Sequence, residues 1–362
     1  MNIREIKVND YEKISELVYS NNLHIYNYKY WQDLWLLNPY YKNINNKWVK
    51  GWVLEHKNKI VGFLGNFPMV YSFLGKDYIV AIATCWVTGK EYRNYSLLLM
   101  KAYFNQKNID LFLSSTANET ASMVFKAFQG NNINFKEYKE NLLFIFNYYN
   151  IIQNIKIAKK IKFIFFLIKP IIIFFNFIIN FFYSVKTRGL YNNIKVYKSF
   201  NHEFDFLWNN IKKNGKKFNF IRNKEWLNWH FNYYINNNKI YIPVEKNNDK
   251  INSYCILIEK NNNKSNVKRL YLVDLISLND NDHSCEKLIK FSIRLAKEKG
   301  YDCIEIVGFN FYKRKIIKKF MPISRKFKHS RFCYYSSNDL LLKSLKNSKN
   351  LDFSMIDGDA II

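Results

Sequence analysis

Glycine and proline are scarce in this chain of 362 residues, at 11 and 5. Little is therefore available of the residue that lets a backbone close on phosphate oxygens. Acidic residues are also few, 29 Asp and Glu against 56 Lys and Arg, for a formal charge of +27. Cys85, Cys255, Cys285, Cys303 and Cys333 are odd in number, widely spaced and without a C-x-x-C pair. That excludes a disulfide framework and reads as reduced core thiols in a cytosolic protein. The six histidines show neither H-x-x-x-H spacing nor a Cys/His cluster, so no metal site is expected. The opening residues, MNIREIKVND, lack the apolar stretch of a secretory signal.

Apolar side chains, by contrast, are abundant. Hydrophobic residues make up 48% of the chain and aromatics 18%, a globular composition with enough length for two domains. The basic excess invites a nucleic-acid or anionic-membrane partner. The basic residues are dispersed, however, and no recognised motif collects them, so no nucleic-acid partner is expected. Lys, Asn, Ile, Phe and Tyr dominate together, and AT-rich coding produces that profile by itself. What remains of the excess suits an anionic cofactor or membrane head groups.

The element order repeats. In the first half REIKV is a strand, NDYEKISELVYSN a helix, and GWVLEHKN with KIVGFLGNFPMVYSFLG a hairpin turning at Lys57-Asn58. About 190 residues later come a helix (FDFLWNNIKK), a Trp-rich segment, a hairpin (IYIPVEKNNDKINSYCILIEK), a strand (KRLYLVDLISL), a long helix ending at Gly300, and CIEIVGFNFYKRKIIKKF. FKHSRFCYYSS reads as a closing hairpin. Trp226 and Trp229 echo Trp31 and Trp35, and Asn310 stands where Asn118 stands.

Residues 81–130 carry the sharpest signal: strand AIATCWV, basic turn KEYRN, helix SLLLMKAYFNQK, strand DLFLSST and a second helix. A helix that opens just after a strand presents free backbone N–H groups to a diphosphate. Arg93 begins a segment that resembles the [QR]-x-x-G-x-[GA] pyrophosphate loop of the GNAT acyltransferase superfamily. Ala117-Asn118-Glu119 with Ala121, then Gln129-Gly130, resembles that family's N-x-x-A and G pattern. Ser96 and Leu98 stand where members usually carry small residues, and Phe125 where many carry a tyrosine that protonates the departing thiolate.

The resemblance implies a mixed α/β fold of two tandem GNAT-like domains, each a twisted sheet flanked by helices. It divides the chain into an N-terminal domain over 1–150, an apolar helical insert over 151–190 and a C-terminal domain over 191–362. It also implies acetyl-CoA or another acyl-CoA as co-substrate, bound by the first half. The Val87 amide would polarise the thioester carbonyl. Arg93 and the amides of Asn94, Tyr95, Ser96 and Leu97 would hold the diphosphate, and Asn118 the pantetheine arm or a water. Glu91 is the candidate base. The second half offers LNDNDHSCEKL at the matching place, without glycine and with acids that repel a diphosphate. Trp31, Trp35, Asn38, Trp226 and Trp229 are candidate walls of a cleft for a sugar or lipid-linked acceptor, with packing of helix on sheet as the other reading. The type resembles tandem-GNAT and Fem-like transferases of bacterial cell-envelope or polysaccharide pathways. A catalytically inactive scaffold that binds a membrane or a protein is the alternative.

Residues 163–183, FIFFLIKPIIIFFNFIINFFY, are the most apolar run, with Lys156, Lys159, Lys160 and Lys162 before it and Lys186 and Arg188 after. Lys162, Lys169, Asn176 and Asn180 fall within about 40° of one line on a helix, so a helix lying at an anionic membrane surface is expected over 155–188 rather than a crossing. Pro170 is expected to bend the helix or start a new one. Together these place the protein in the cytoplasm, peripheral to the inner face of the plasma membrane.

Overall fold

The apolar run from Gly51 to Thr88 folds as a meander of three antiparallel strands, and the elements on either side of it fall in the order that the repeated pattern predicts. The computed structural model describes residues 1–44, 47–154, 162–189, 191–260, 265–326 and 332–360. Its first elements are β1 (Asn2–Glu5), α1 (Tyr11–Ser20), α2 (Tyr28–Leu36), α3 (Pro39–Asn43), β2 (Gly51–His56), β3 (Lys59–Phe73) and β4 (Lys76–Thr88). Then come α4 (Ser96–Phe104), β5 (Leu111–Ser114), α5 (Glu119–Ala127), β6 (Asn131–Asn132), β7 (Glu140–Ile145), α6 (Tyr148–Gln153) and α7 (Lys162–Lys186). Next are β8 (Ile194–Tyr197), α8 (Glu203–Asn214), β9 (Asn219–Phe220), α9 (Lys224–His230), α10 (Asn232–Asn236), β10 (Ile240–Asn247), β11 (Lys250–Glu259) and β12 (Arg269–Ser277). The last are α11 (Asp282–Glu298), β13 (Cys303–Val307), α12 (Phe311–Lys318), β14 (Ile323–Lys326), β15 (Cys333–Tyr335) and α13 (Asp339–Leu345).

Two compact units result, and each draws on both halves of the sequence. The first comprises Met1–Phe135, Lys212–Tyr233 and Lys328–Ile362; the second comprises Lys136–Ile211 and Tyr234–Phe327. The expected divisions at 150 and 190 therefore differ from the observed partition, because strand pairing reaches across them. The first sheet has the order β1-β2-β3-β4-β5-β15-β6, with β9 also beside β3. The second has the order β14-β7-β13-β12-β11-β10-β8. Of the closing segment FKHSRFCYYSS, residues 327–331 lie outside the described residues; β15, in the remainder, pairs with β5 and β6, whereas β14, upstream of it, pairs with β7. Both sheets are mixed, with β4 parallel to β5 in one and β12 parallel to β13 in the other.

Each sheet is covered by helices whose apolar stripe faces it. In the first unit Leu99, Met100 and Tyr103 of α4 and Phe125 of α5 pack on Trp52, Leu54, Leu64 and Phe112. In the second, Leu288, Ile289, Ile293 and Ala296 of α11, one stripe at helical spacing, pack on Leu257, Leu270, Leu272 and Ile306. Each such buried Leu, Ile, Met or Phe side chain contributes about 1.5–3 kcal/mol.

Helix α7 of the second unit continues through Pro170 rather than breaking there. Its packing is turned opposite to that of a core helix. Asn176 accepts from the Tyr148 N–H at 2.8 Å, Asn180 donates to the Phe146 carbonyl at 2.7 Å, and the Lys169 ammonium lies over the Tyr149 ring at 5.5 Å. The polar stripe is thus the face held by the protein, while Ile171, Phe174, Phe177 and Phe181 are each more than 60% exposed. Lys156, Lys159 and Lys160, and the Lys162 side chain, lie outside the described residues.

Candidate active site

The site builds from the place where β4 and β5 part. Their parallel pairing runs from Val80–Leu111 to Ile82–Leu113, and β4 then continues to Thr88 without β5 beside it. The Tyr103 hydroxyl marks the fork, donating to the Ala81 carbonyl at 2.7 Å, with the Leu113 carbonyl at 3.3 Å. Beyond it β4 bulges. Gly65 pairs with Thr84 and Phe63 with Val87, so two residues of β4, Cys85 and Trp86, oppose Leu64. Cys85 takes the left-handed conformation at φ 52° to achieve this.

The bulge shifts the phase of the strand. The Gly89 N–H donates to the Val61 carbonyl at 2.8 Å, so by the alternation of antiparallel pairing Val87 also faces β3. The amide turned away from β3 into the opening is that of Thr88, one residue on from the expected Val87. The Thr88 hydroxyl is buried there without a hydrogen-bond partner. A bulge is one extra residue in one strand, and periodicity alone cannot locate it.

After β4, Lys90–Tyr95 form a 3₁₀ turn that runs directly into α4. The Ser96 amide is already bonded to the Arg93 carbonyl, and the Ser96 hydroxyl donates to the same oxygen at 2.6 Å. Asn94, Tyr95 and Leu97 lie exposed on this helical stretch. Its first amides belong to Lys90 and Glu91, upstream of the expected segment. Gly89 caps the turn without a side chain. Arg93 is exposed and makes no ion pair among the described residues. Glu91 is exposed in the first turn, where a carboxylate complements the helix dipole.

Asn118 follows β5 and caps α5, its side-chain oxygen accepting from the Ala121 N–H at 2.9 Å. Phe125 is 2% exposed, with its ring 5.2 Å from that of Phe104. In the second unit the equivalent helix, α11, opens with its amides occupied: the Asn281 side chain accepts from His283 and Ser284. The short 3₁₀ turn Leu278–Asp280 between β12 and α11 has no side-chain cap either, so what sets the first unit apart is that its turn runs on into α4 without a capping residue between them.

The tryptophans are structural. Trp31, Trp35, Trp226 and Trp229 are all below 7% exposed. The Trp35 indole donates to the Asn66 carbonyl at 2.9 Å and that of Trp229 to the Asp33 carbonyl at 3.2 Å. Asn38 is fully buried, donating to the Pro68 carbonyl and accepting from the Tyr40 and Tyr41 amides. The expected acceptor walls are therefore a wedge that seats α2, α3 and α9 on β3. Trp31 and Trp35 help line one small pocket and Trp229 another.

His230 lies beside Trp229, enclosed by the rings of Phe220, Trp229 and Phe231. Burial pushes its pKa down to about 3, the Ile356 carbonyl offsetting that only in part, and neither ring nitrogen meets hydrogen-bond geometry. Because the folded value lies below the unfolded one of about 6.5, the unfolded chain takes up the proton first as pH falls. Stability is thus lost from about pH 6.5 down toward pH 3. Between pH 7 and 5 His230 alone should lower unfolding free energy by about 2 kcal/mol. Urea unfolding at both pH values checks this, and His230→Phe should flatten the slope.

The tail supplies what the strand sequence lacks. Asp357 is fully buried beside Arg222, at 3.4 Å, and accepts from the Ser354 N–H at 2.9 Å. Gly358 then passes so close to Ser115 that a Cβ would lie 2.3 Å from its hydroxyl oxygen. This delivers Asp359 to the end of β5, where its carboxylate accepts from the Ser115 and Thr116 hydroxyls, each at 2.8 Å. Burial, and then the Asp359 charge, push the Cys85 thiol up to about 12, so it stays protonated and is no nucleophile. The Asp359 charge also reaches the buried Tyr103 hydroxyl. The fork thus gathers Tyr103, Ser115, Thr116 and Asp359, with Thr88 farther along β4. No group of three or more potential metal ligands occurs among the described residues.

No family model and no curated protein matches the sequence. Among solved structures the chain is similar to a GCN5-related N-acetyltransferase from Anabaena variabilis, at 8% identity and a TM-score of 0.54 over 95% of this chain and 74% of that one. It is also similar to one from Kribbella flavida, at 6% identity and a TM-score of 0.53 over 92% and 70%. At such identities the likeness is one of fold, and it extends over nearly the whole chain.

Proposed function

We propose that this protein is an acyl-CoA-dependent N-acyltransferase that acts on an amine of an envelope or polysaccharide precursor at the cytoplasmic face of the membrane. One observation carries the reading: the parallel pair β4/β5 forks beside a buried carboxylate, next to a helical turn with an unpaired arginine. The thioester lies in the fork, its carbonyl oxygen receiving the Thr88 N–H as an oxyanion donor. Lys90, Glu91 and Arg93 hold the diphosphate through two amides and a guanidinium. The acceptor amine attacks the thioester carbon, forming the C–N bond as the C–S bond breaks. Asp359 takes the amine proton, and the thiolate leaves as CoA and regains a proton.

Calorimetric titration with acetyl-CoA and with a long-chain acyl-CoA tests the co-substrate. Arg93→Ala should weaken binding at least about tenfold, since charge-assisted hydrogen bonds contribute about 1.5–3 kcal/mol. Unchanged affinity would reject the diphosphate assignment. The buried Phe125, which has no proton to donate to a leaving thiolate, favours the second reading, a binding scaffold; tight acyl-CoA binding with no turnover on any amine would establish it.

Helix α7 supports a peripheral membrane site. With the polar stripe committed to the protein and the apolar face outward, the surface of the second unit carries exposed Ile and Phe side chains beside Lys169 and Lys186. That pairing suits an anionic bilayer surface.

A further inference from the structure

Helices α2 and α9 enclose a small pocket in the first unit, lined by Tyr26, Tyr30, Asp33, Leu34, Trp229, His230, Asn232 and Tyr233. Three tyrosine rings form one wall. Those of Tyr26 and Tyr233 lie 4.5 Å apart, and those of Tyr30 and Tyr233 lie 4.9 Å apart and nearly perpendicular. Asp33 contributes a carboxylate, of which one oxygen accepts from Asn232 at 2.9 Å. At the back stands His230, 4% exposed, with both nitrogens lacking a hydrogen bond. The Ile356 carbonyl is close enough to act on it but falls outside good hydrogen-bond geometry, and a buried imidazole so poorly partnered destabilises the fold.

We infer that this pocket is a subsite for a primary ammonium group carried by the acceptor, distinct from the uncharged amine that attacks in the fork, held by the tyrosine faces, Asp33 and His230. The inference rests on the acyltransferase reading for the word acceptor, and on the pocket alone for the cation. Aromatic faces attract a cation electrostatically, and a carboxylate at the rim supplies the opposite charge. Burial keeps the imidazole uncharged, so one ring nitrogen offers a lone pair to an ammonium proton without repelling it. A primary ammonium has three N–H donors, and the pocket presents a carboxylate oxygen and an imidazole nitrogen as acceptors. A carboxylate or phosphate would meet Asp33 as a like charge. Position supports the assignment too. The loop that carries Tyr26 begins at the fork, with the Cys85 thiol 3.7 Å from the His24 carbonyl and the His24 ring 5.8 Å from that of Tyr26.

Methylammonium chloride is the probe, with sodium chloride at equal ionic strength as the control. The indole N–H signal of Trp229, which bonds to the backbone of Asp33, reports occupancy by NMR. It should shift saturably with methylammonium and not with sodium, and Asp33→Asn should weaken that binding at least about tenfold. His230→Phe should likewise weaken it, yet raise the thermal midpoint by about 2–4 °C, because the phenyl ring leaves no buried polar atom unpaired. Opposite signs in binding and stability exclude simple loss of structure. No saturable shift, or the same response to sodium, overturns the subsite, as does unchanged binding in Asp33→Asn. Acetyl-CoA titration separates the two claims. A methylammonium response without acyl-CoA binding leaves the subsite standing and removes the acyltransferase, and the reverse result does the opposite.

Discussion

Asp359→Asn is expected to reduce kcat for acyl transfer at least about 100-fold, the usual lower range for losing a general base, with acyl-CoA affinity unchanged within about twofold. The amide keeps the size of the carboxylate, its oxygen can still accept from the Ser115 hydroxyl and its NH2 can donate to the Thr116 oxygen, so the tail should remain docked. Glu91→Gln is the matched control. Glu91 is exposed on the 3₁₀ turn and outside the fork, and its neutralisation should change kcat less than about threefold. Thiol-release kinetics at saturating acyl-CoA separate the two. A large loss in Glu91→Gln with none in Asp359→Asn would move the base to the turn and leave Asp359 as a structural clasp.

The second large effect concerns membrane association. Phe174, Phe177 and Phe181 are 66, 69 and 61% exposed on α7, and each transfers to the acyl boundary with about 1.5–3 kcal/mol. Replacing all three by Asp should lower the partition coefficient onto anionic vesicles by more than about 1000-fold. Secondary structure should be untouched, because these rings contribute little to the core. Sedimentation with phosphatidylserine-containing vesicles measures it. Wild-type protein that stays in the supernatant would reject the membrane site outright.

Local chemistry made much of this architecture legible in advance. The repeated element order placed a helix after β5, and α5 stands there, capped by Asn118, a role other than the pantetheine contact expected of it. The run 163–183 carried its polar line at positions 7, 7 and 4 apart, and the described members of that line are what the protein holds. Long-range pairing was not legible. Nothing in CYY of β15 specifies β5 as its neighbour, and nothing in NKEWLNWH ties it to α2 rather than to the strands that follow it. The amide turned into the opening stands one residue beyond the expected Val87 because the bulge at Cys85 inverts strand phase. Asp359 was missed because a carboxylate 244 residues from Ser115 becomes part of the fork only through tertiary contact. The tryptophan segment left two readings open for a related reason: aromatic richness marks a sugar platform and a packed wedge equally well, and the burial of Trp31, Trp35, Trp226 and Trp229 favours the wedge.

Strand β15 pairs Tyr335 with Phe112, and that register has a consequence in time. A ribosome adding about 5–20 residues per second needs roughly 10–45 s to travel from one to the other. Throughout that interval β4 and β5 can form, but the far edge of β5 has no partner, and an open strand edge is a template for pairing with other chains. The carboxylate of Asp359 arrives later still. A nascent chain of this protein therefore carries an uncovered sheet edge for most of its own synthesis, and it should depend on chaperones more than its number of residues alone suggests. Chains released early would hold the β4/β5 fork with no Asp359 beside it.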